Sequence, residues 1–142
     1  MIGLGVLIQR LSGNEDTVNT VRASLNKTIE KAWIDDNSLF LHFADGSVVE
    51  LADEGQSCCE HRFMRTDDDL SELSGSKLLG FELKSTSRER DEFDVHEIQF
   101  LDIITSKGIF QLANHNIHNG YYGGFAVTIK QWGYMEPDPQ KM

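Results

Sequence analysis

A chain of 142 residues, 39% apolar and 25% charged, has the size and composition of one globular domain, which excludes a wholly disordered chain and leaves no room for a second domain of usual length. Its 23 Asp and Glu against 13 Lys and Arg give a formal charge of −10. Bulk nucleic-acid binding through a basic face is thereby disfavoured, since that affinity rests on neutralising phosphates, whereas a basic protein surface suits an acidic chain as partner.

The opening Met1 to Ile8 is apolar but too short to span a membrane, and it lacks the basic flank and small-residue cleavage site of a secretory signal. A cytoplasmic protein with no membrane partner is expected. Ile2, Leu4, Val6 and Ile8 alternate as a strand does, and an exposed strand seeks a partner edge, which leaves a homo-oligomer open. Asn14 to Thr17 offers capping side chains and Val18, Val21 and Leu25 follow at helical spacing, so a helix of about ten residues is predicted. From Thr28 the period shortens to two. Three antiparallel strands are predicted at roughly 27–34, 38–43 and 47–52, separated by the turn-prone Asp35-Asp36-Asn37 and Asp45-Gly46.

Asp67-Asp68-Asp69 would open a short helix that stops near Gly75. Lys77 to Lys84 reads as a strand, the charged Ser85 to Asp94 as a surface loop, and His96–Ile104 with Ile109–Ala113 as a hairpin turning at Ser106-Lys107-Gly108. Phe125 to Trp132 closes the sheet, and Pro137 and Pro139 mark residues 135–142 as a flexible tail. The expected fold is α+β, an antiparallel sheet of about seven strands with one or two short helices. Residues 27–134 form the domain and residues 1–26 an N-terminal strand and helix extension.

Ala113 to Phe125 packs three asparagines, two histidines, three glycines and three aromatics into thirteen residues, inside a stretch, Ile103 to Met135, that holds no Asp or Glu. Gly55-Gln-Ser-Cys-Cys-Glu-His-Arg-Phe-Met-Arg-Thr-Asp-Asp-Asp-Leu70, taken with Ala113-Asn-His-Asn-Ile-His-Asn-Gly-Tyr-Tyr-Gly-Gly-Phe125, resembles an uncharacterised family of small phage and bacterial proteins catalogued as a domain of unknown function. The resemblance runs from about Lys27 to Ile129. It implies a setting, a phage or mobile-element accessory protein such as an inhibitor of host defence, and supplies no catalytic assignment.

Three chemistries compete for these motifs. Cys58, Cys59, His61, His115 and His118 are the sulfur and imidazole donors that zinc prefers, though adjacent cysteines without a Cys-x-x-Cys element are a poor ligand pair, and buried packing cysteines with turn-bonding histidines would look the same. A cysteine thiolate with one of those histidines as base, in the field of Arg62 and Arg65, would serve a hydrolase. Glu60, His96 and Glu97 are acid–base candidates, but His96 and Glu97 face opposite ways if they lie in a strand. The three aspartates at 67–69 fit a helix cap better than a divalent cation. The third chemistry needs no metal. Gly120 lets backbone amides approach a guest, Asn114, Asn116 and Asn119 donate through uncharged amides beside His115 and His118, and Tyr121 and Tyr122 stack on a flat ring. With Arg62 or Arg65 across from it, such a loop would hold a small polar, nucleotide-like ligand. A tight hairpin loop satisfying its own backbone is the competing structural reading. The leading expectation is a non-enzymatic accessory protein that sequesters a host protein or such a ligand; a zinc- or cysteine-dependent hydrolase is the alternative.

Overall fold

A computed structural model describes residues 6–8, 15–35, 38–53, 60–90, 94–118 and 125–134. The elements run β1 (Val6–Leu7), α1 (Glu15–Ser24), β2 (Ile29–Asp35), β3 (Ser38–Phe43), β4 (Ser47–Asp53), β5 (Glu60–Arg65), a 3₁₀ turn (Leu70–Leu73), β6 (Leu78–Arg90), β7 (Val95–Thr105), β8 (Gly108–His118) and β9 (Val127–Tyr134). They form two antiparallel sheets, ordered β1-β6-β7-β8-β5 and β2-β3-β4-β9. The α+β class holds, but the described residues contain nine strands where about seven were expected, and in two sheets instead of one.

Alternation explains why two sheets form. Leu39, Leu41 and Phe43 of β3 and Val49 and Leu51 of β4 point to one side, as do Leu101 and Ile103 of β7 and Phe110 and Leu112 of β8; all are buried in one common apolar cluster with Phe81 and Ile129. The helix lies beside β9 and β6 and contributes Val21 to that cluster, while Thr17 accepts through Oγ1 from the Ile129 amide at 3.2 Å. It starts on acidic residues and ends where Asn26 takes a left-handed φ of 68°, a conformation asparagine tolerates better than most residues.

Three sequence expectations are corrected. β8 continues to His118, so Asn114–His118 are strand and not loop. β6 runs on through the charged stretch to Arg90, where a loop was predicted; Thr86 to Arg90 are exposed, and a strand wet on both faces carries no apolar alternation to read. β5 was not predicted at all, because Phe63 and Met64 are neighbours and blur the two-residue period.

The turn at Asp45-Gly46 is as the sequence suggests, with Gly46 at φ 91°. Asp45 Oδ1 accepts from the Ser47 hydroxyl at 2.5 Å and from its amide at 2.9 Å, and Lys27 Nζ lies 3.0 Å from Oδ2. The Ser47 hydroxyl bond, then the amide bond, with Lys27 adding less, hold the carboxyl at about 2, below its ordinary 3.8. A depressed folded pKa gives stability that is present above the unfolded value and is lost as pH falls through the folded one. Asp45→Asn is therefore expected to remove a step of acid destabilisation between about pH 4 and pH 2, worth under about 1 kcal/mol because the group is part-exposed. Urea midpoints of both proteins at pH 6, 4, 3 and 2 check it; parallel curves would contradict it.

Candidate functional site

The two sequence motifs meet as neighbouring strands. β5 pairs with β8 in the register Glu60 opposite His118, Arg62 opposite Asn116 and Met64 opposite Asn114. β7 flanks the other side of β8, with Val95 opposite His118, Glu97 opposite Asn116 and Gln99 opposite Asn114. Directly opposed residues share a face, so these nine side chains make a three-by-three grid on the inner side of the sheet. One rung further along, the partners are Leu101 and Leu112, and the face becomes apolar core.

Seven of the nine side chains are polar, Met64 and Val95 being the exceptions, and the central column on β8 is buried. Asn114, Asn116 and His118 are 1%, 0% and 2% exposed. Arg62 Nη1 donates to both oxygens of Asp53 at 2.8 Å, and Nη2 donates to Glu60 Oε2 at 2.6 Å. Asp53 ends β4 in the other sheet, so this ion pair ties the two sheets together; Asp53 Oδ1 also accepts from the Ala126 amide at 2.8 Å. Glu60 Oε2 takes a second bond from Asn116 Nδ2 at 2.8 Å. Burial works against the Arg62 charge, but the bonds to Asp53 and Glu60 outweigh it and raise the guanidinium above its usual pKa. His118 Nε2 lies 2.6 Å from Glu97 Oε1, and an ionised carboxylate can only accept, so Nε2 carries the proton.

The odd-numbered residues of β5 and β8 face the other way. His61 is exposed and meets Phe63 edge-on; Phe63 stacks on His115 with centroids 4.6 Å apart and an interplanar angle of 4°; the Arg65 guanidinium sits 5.1 Å from the Phe63 centroid. His96 Nε2 and His115 Nδ1 share one hydrogen bond at 2.9 Å. Burial, then the charges of His96 and Arg65, hold the His115 pKa below its ordinary value, so this imidazole is neutral at pH 7. Beside the stack lies an open groove of about 390 Å³, floored by Ile98, Phe100 and Ala113 and walled by Arg65, Asp67 and His115.

Strand alternation thus divides the predicted site. Arg62, Asn114, Asn116 and His118 point inward together; His61, Arg65 and His115 point outward, and His96 and Glu97 face opposite sides as expected of a strand. His118 and His115, three residues apart, cannot share an ion with His61 as a single set. Among the described residues no three His, Cys, Asp or Glu side chains stand close enough to hold a metal. Cys58, Cys59, Asn119, Gly120, Tyr121 and Tyr122 lie outside the described residues, as does the predicted tail 135–142. Asp69 caps the 3₁₀ turn, accepting from the Ser71 amide at 3.0 Å, and Asp68 Oδ2 accepts from the Gln111 amide at 2.7 Å, standing in for a strand where β5 has ended. These roles match the capping reading of the aspartates.

Sequence reading passed over Asp53 and Gln99. Both sit at positions in register with known inward residues, so alternation from Leu51 and Leu101 would have placed them inside once the strands were fixed. Among the described residues no helix is long and apolar enough to cross a membrane.

A family model described as a domain of unknown function, DUF7448, matches residues 22–127, and the chain belongs to this family. No curated protein and no solved structure matches it.

Proposed function

We propose that this member of the DUF7448 family is a non-enzymatic binding protein whose site is the groove on the outer face of β5, β8 and β7, and that its ligand is a small nucleotide-like molecule. The observation that carries this reading is the lining of that groove: one guanidinium, carboxylates and an apolar floor around about 390 Å³, within the size range of small-ligand sites. Ile98, Phe100 and Ala113 offer a flat apolar bed for a base. Arg65 supplies a phosphate donor, and Asp67 a carboxylate of the kind that accepts from ribose hydroxyls. One guanidinium facing carboxylates favours a single phosphate over a polyphosphate. Arg62 has no part in this, since its guanidinium is committed to Asp53 and Glu60 inside.

Thermal melts with nucleoside 5′-monophosphates test the reading. A binder of the native state raises Tm saturably, by mass action, and the rise is expected to vanish in Arg65→Ala and Phe100→Ala. No response to the 5′-monophosphates of adenosine, guanosine, cytidine and uridine, or an undiminished response in Arg65→Ala, would refute it. A second reading, capture of a basic host protein, draws on the formal charge of −10; its signature is a complex that dissolves with rising salt and forms equally well with Phe100→Ala.

A further inference from the structure

A second hollow opens beside the groove. It encloses about 290 Å³ and is lined by Glu89, Arg90, Asp94, His96 and Ile117. His115 walls the first groove and His96 the second hollow, and the two rings share the 2.9 Å hydrogen bond, so the imidazole pair is the partition between them. In the strand register Ile98 stands opposite His115 and His96 opposite Ile117, which sets the second hollow one rung beyond the first. From Phe100, in the floor of the groove, to His96 is four residues of extended strand, about 13 Å. The second hollow repeats the chemistry of the first. Ile117 gives it an aliphatic floor, Arg90 one guanidinium, and Glu89 and Asp94 carboxylates, where the groove has Ile98, Arg65 and Asp67. Glu89, Arg90 and Asp94 are exposed to solvent, whereas His96 and Ile117 are half-buried.

We propose that the two hollows form one bipartite site for a dinucleotide, with a nucleoside in each hollow and the linking phosphate over the His96–His115 pair. This rests on the nucleotide reading of the groove and extends it. Two like hollows side by side complement a ligand that carries the same unit twice on a short linker. A neutral imidazole carries one proton, so whichever ring accepts the shared bond has an N–H on its other nitrogen to offer the phosphate. Arg65 and Arg90, one in each hollow, answer the ligand's negative charge. A longer strand is disfavoured, since the chain's formal charge of −10 repels each added phosphate.

Calorimetric titration at constant ionic strength compares the 5′-phosphorylated dinucleotides ApA, GpG, CpC and UpU with their own 5′-monophosphates. In at least one pair the dinucleotide is expected to bind one per chain and roughly a hundredfold tighter than its monophosphate, because the linker delivers the second unit at high effective concentration. Arg90→Ala and Ile117→Ala should each remove most of that gain, while Arg65→Ala weakens both compounds. Arg90 is exposed, so its truncation leaves the core untouched. Arg88→Ala is the control: it takes the same charge from β6, but opposite Glu97 on the inner side, and Arg88 lines neither hollow, so the gain should persist. If monophosphates bind and no dinucleotide binds tighter, the bipartite site is refuted and the groove stands as a mononucleotide site. If neither kind of compound binds, both readings fall. A gain lost equally in Arg88→Ala and Arg90→Ala would also overturn the proposal, because it would then come from charge alone.

Discussion

Arg62→Ala is expected to be among the most damaging single substitutions in this chain, costing roughly 3–5 kcal/mol, because it takes from two buried carboxylates the guanidinium bonded to both. The guanidinium side chain is 4% exposed and bridges Asp53 at the end of β4 to Glu60 at the start of β5, so both sheets lose a tie at once. At about 2–4 °C per kcal/mol for a chain of this size, Tm should fall by roughly 10 °C. Arg62→Lys keeps the charge, but a single ammonium cannot straddle Asp53 and reach Glu60 as the two guanidinium nitrogens do, and an intermediate loss is expected. The triple change Arg62→Met, Asp53→Leu and Glu60→Leu removes the charges together and should recover much of the stability, although the Ala126 and Asn116 donors then lose their acceptors. Urea denaturation with a constant m-value measures all three. If Arg62→Ala costs less than 1 kcal/mol, the ion pair is solvated and the buried network described above is wrong.

That network also marks where the sequence could and could not be read. α1 was legible because a cap, Val18 and Val21 fall at the right spacing, and β3 and β4 because every second residue is large and apolar. The end of β8 was hidden for a physical reason. Its inward residues are Asn114, Asn116 and His118, so the buried face of the strand is polar, and Asn-rich composition signals a turn when the partners are unseen. The absence of acids from Ile103 to Met135 was real in sequence and misleading in space: Glu60 and Glu97 are brought to Asn116 and His118 by the strands on either side. Pairing of the two motifs across β5 and β8 puts them together, as the shared-site idea required, yet the pleat then sends half of each motif to the other face. A list of chemically rich residues carries no pleat until the strand register is known.

Phe81→Ala carries the other large expected effect, roughly 3–5 kcal/mol, and it tests the apolar half of the same sheet. Phe81 is 1% exposed, lies opposite Ile103 and belongs to the cluster that joins Leu101 and Leu112 to Leu41 and Leu51 of the facing sheet. Truncation leaves a ring-sized void between two sheets that are each held by their own ladders, so the site has little freedom to collapse and the cost should sit near the top of that range. Phe100, one of the groove residues, makes the informative comparison. It lies on the outer face and is half-buried, so Phe100→Ala should cost far less, about 1 kcal/mol, while abolishing the nucleotide response. Equilibrium unfolding of both variants reads the difference directly. A Phe100→Ala protein as unstable as Phe81→Ala would mean that the outer face is covered in solution, and the groove would then be packing surface and not a site.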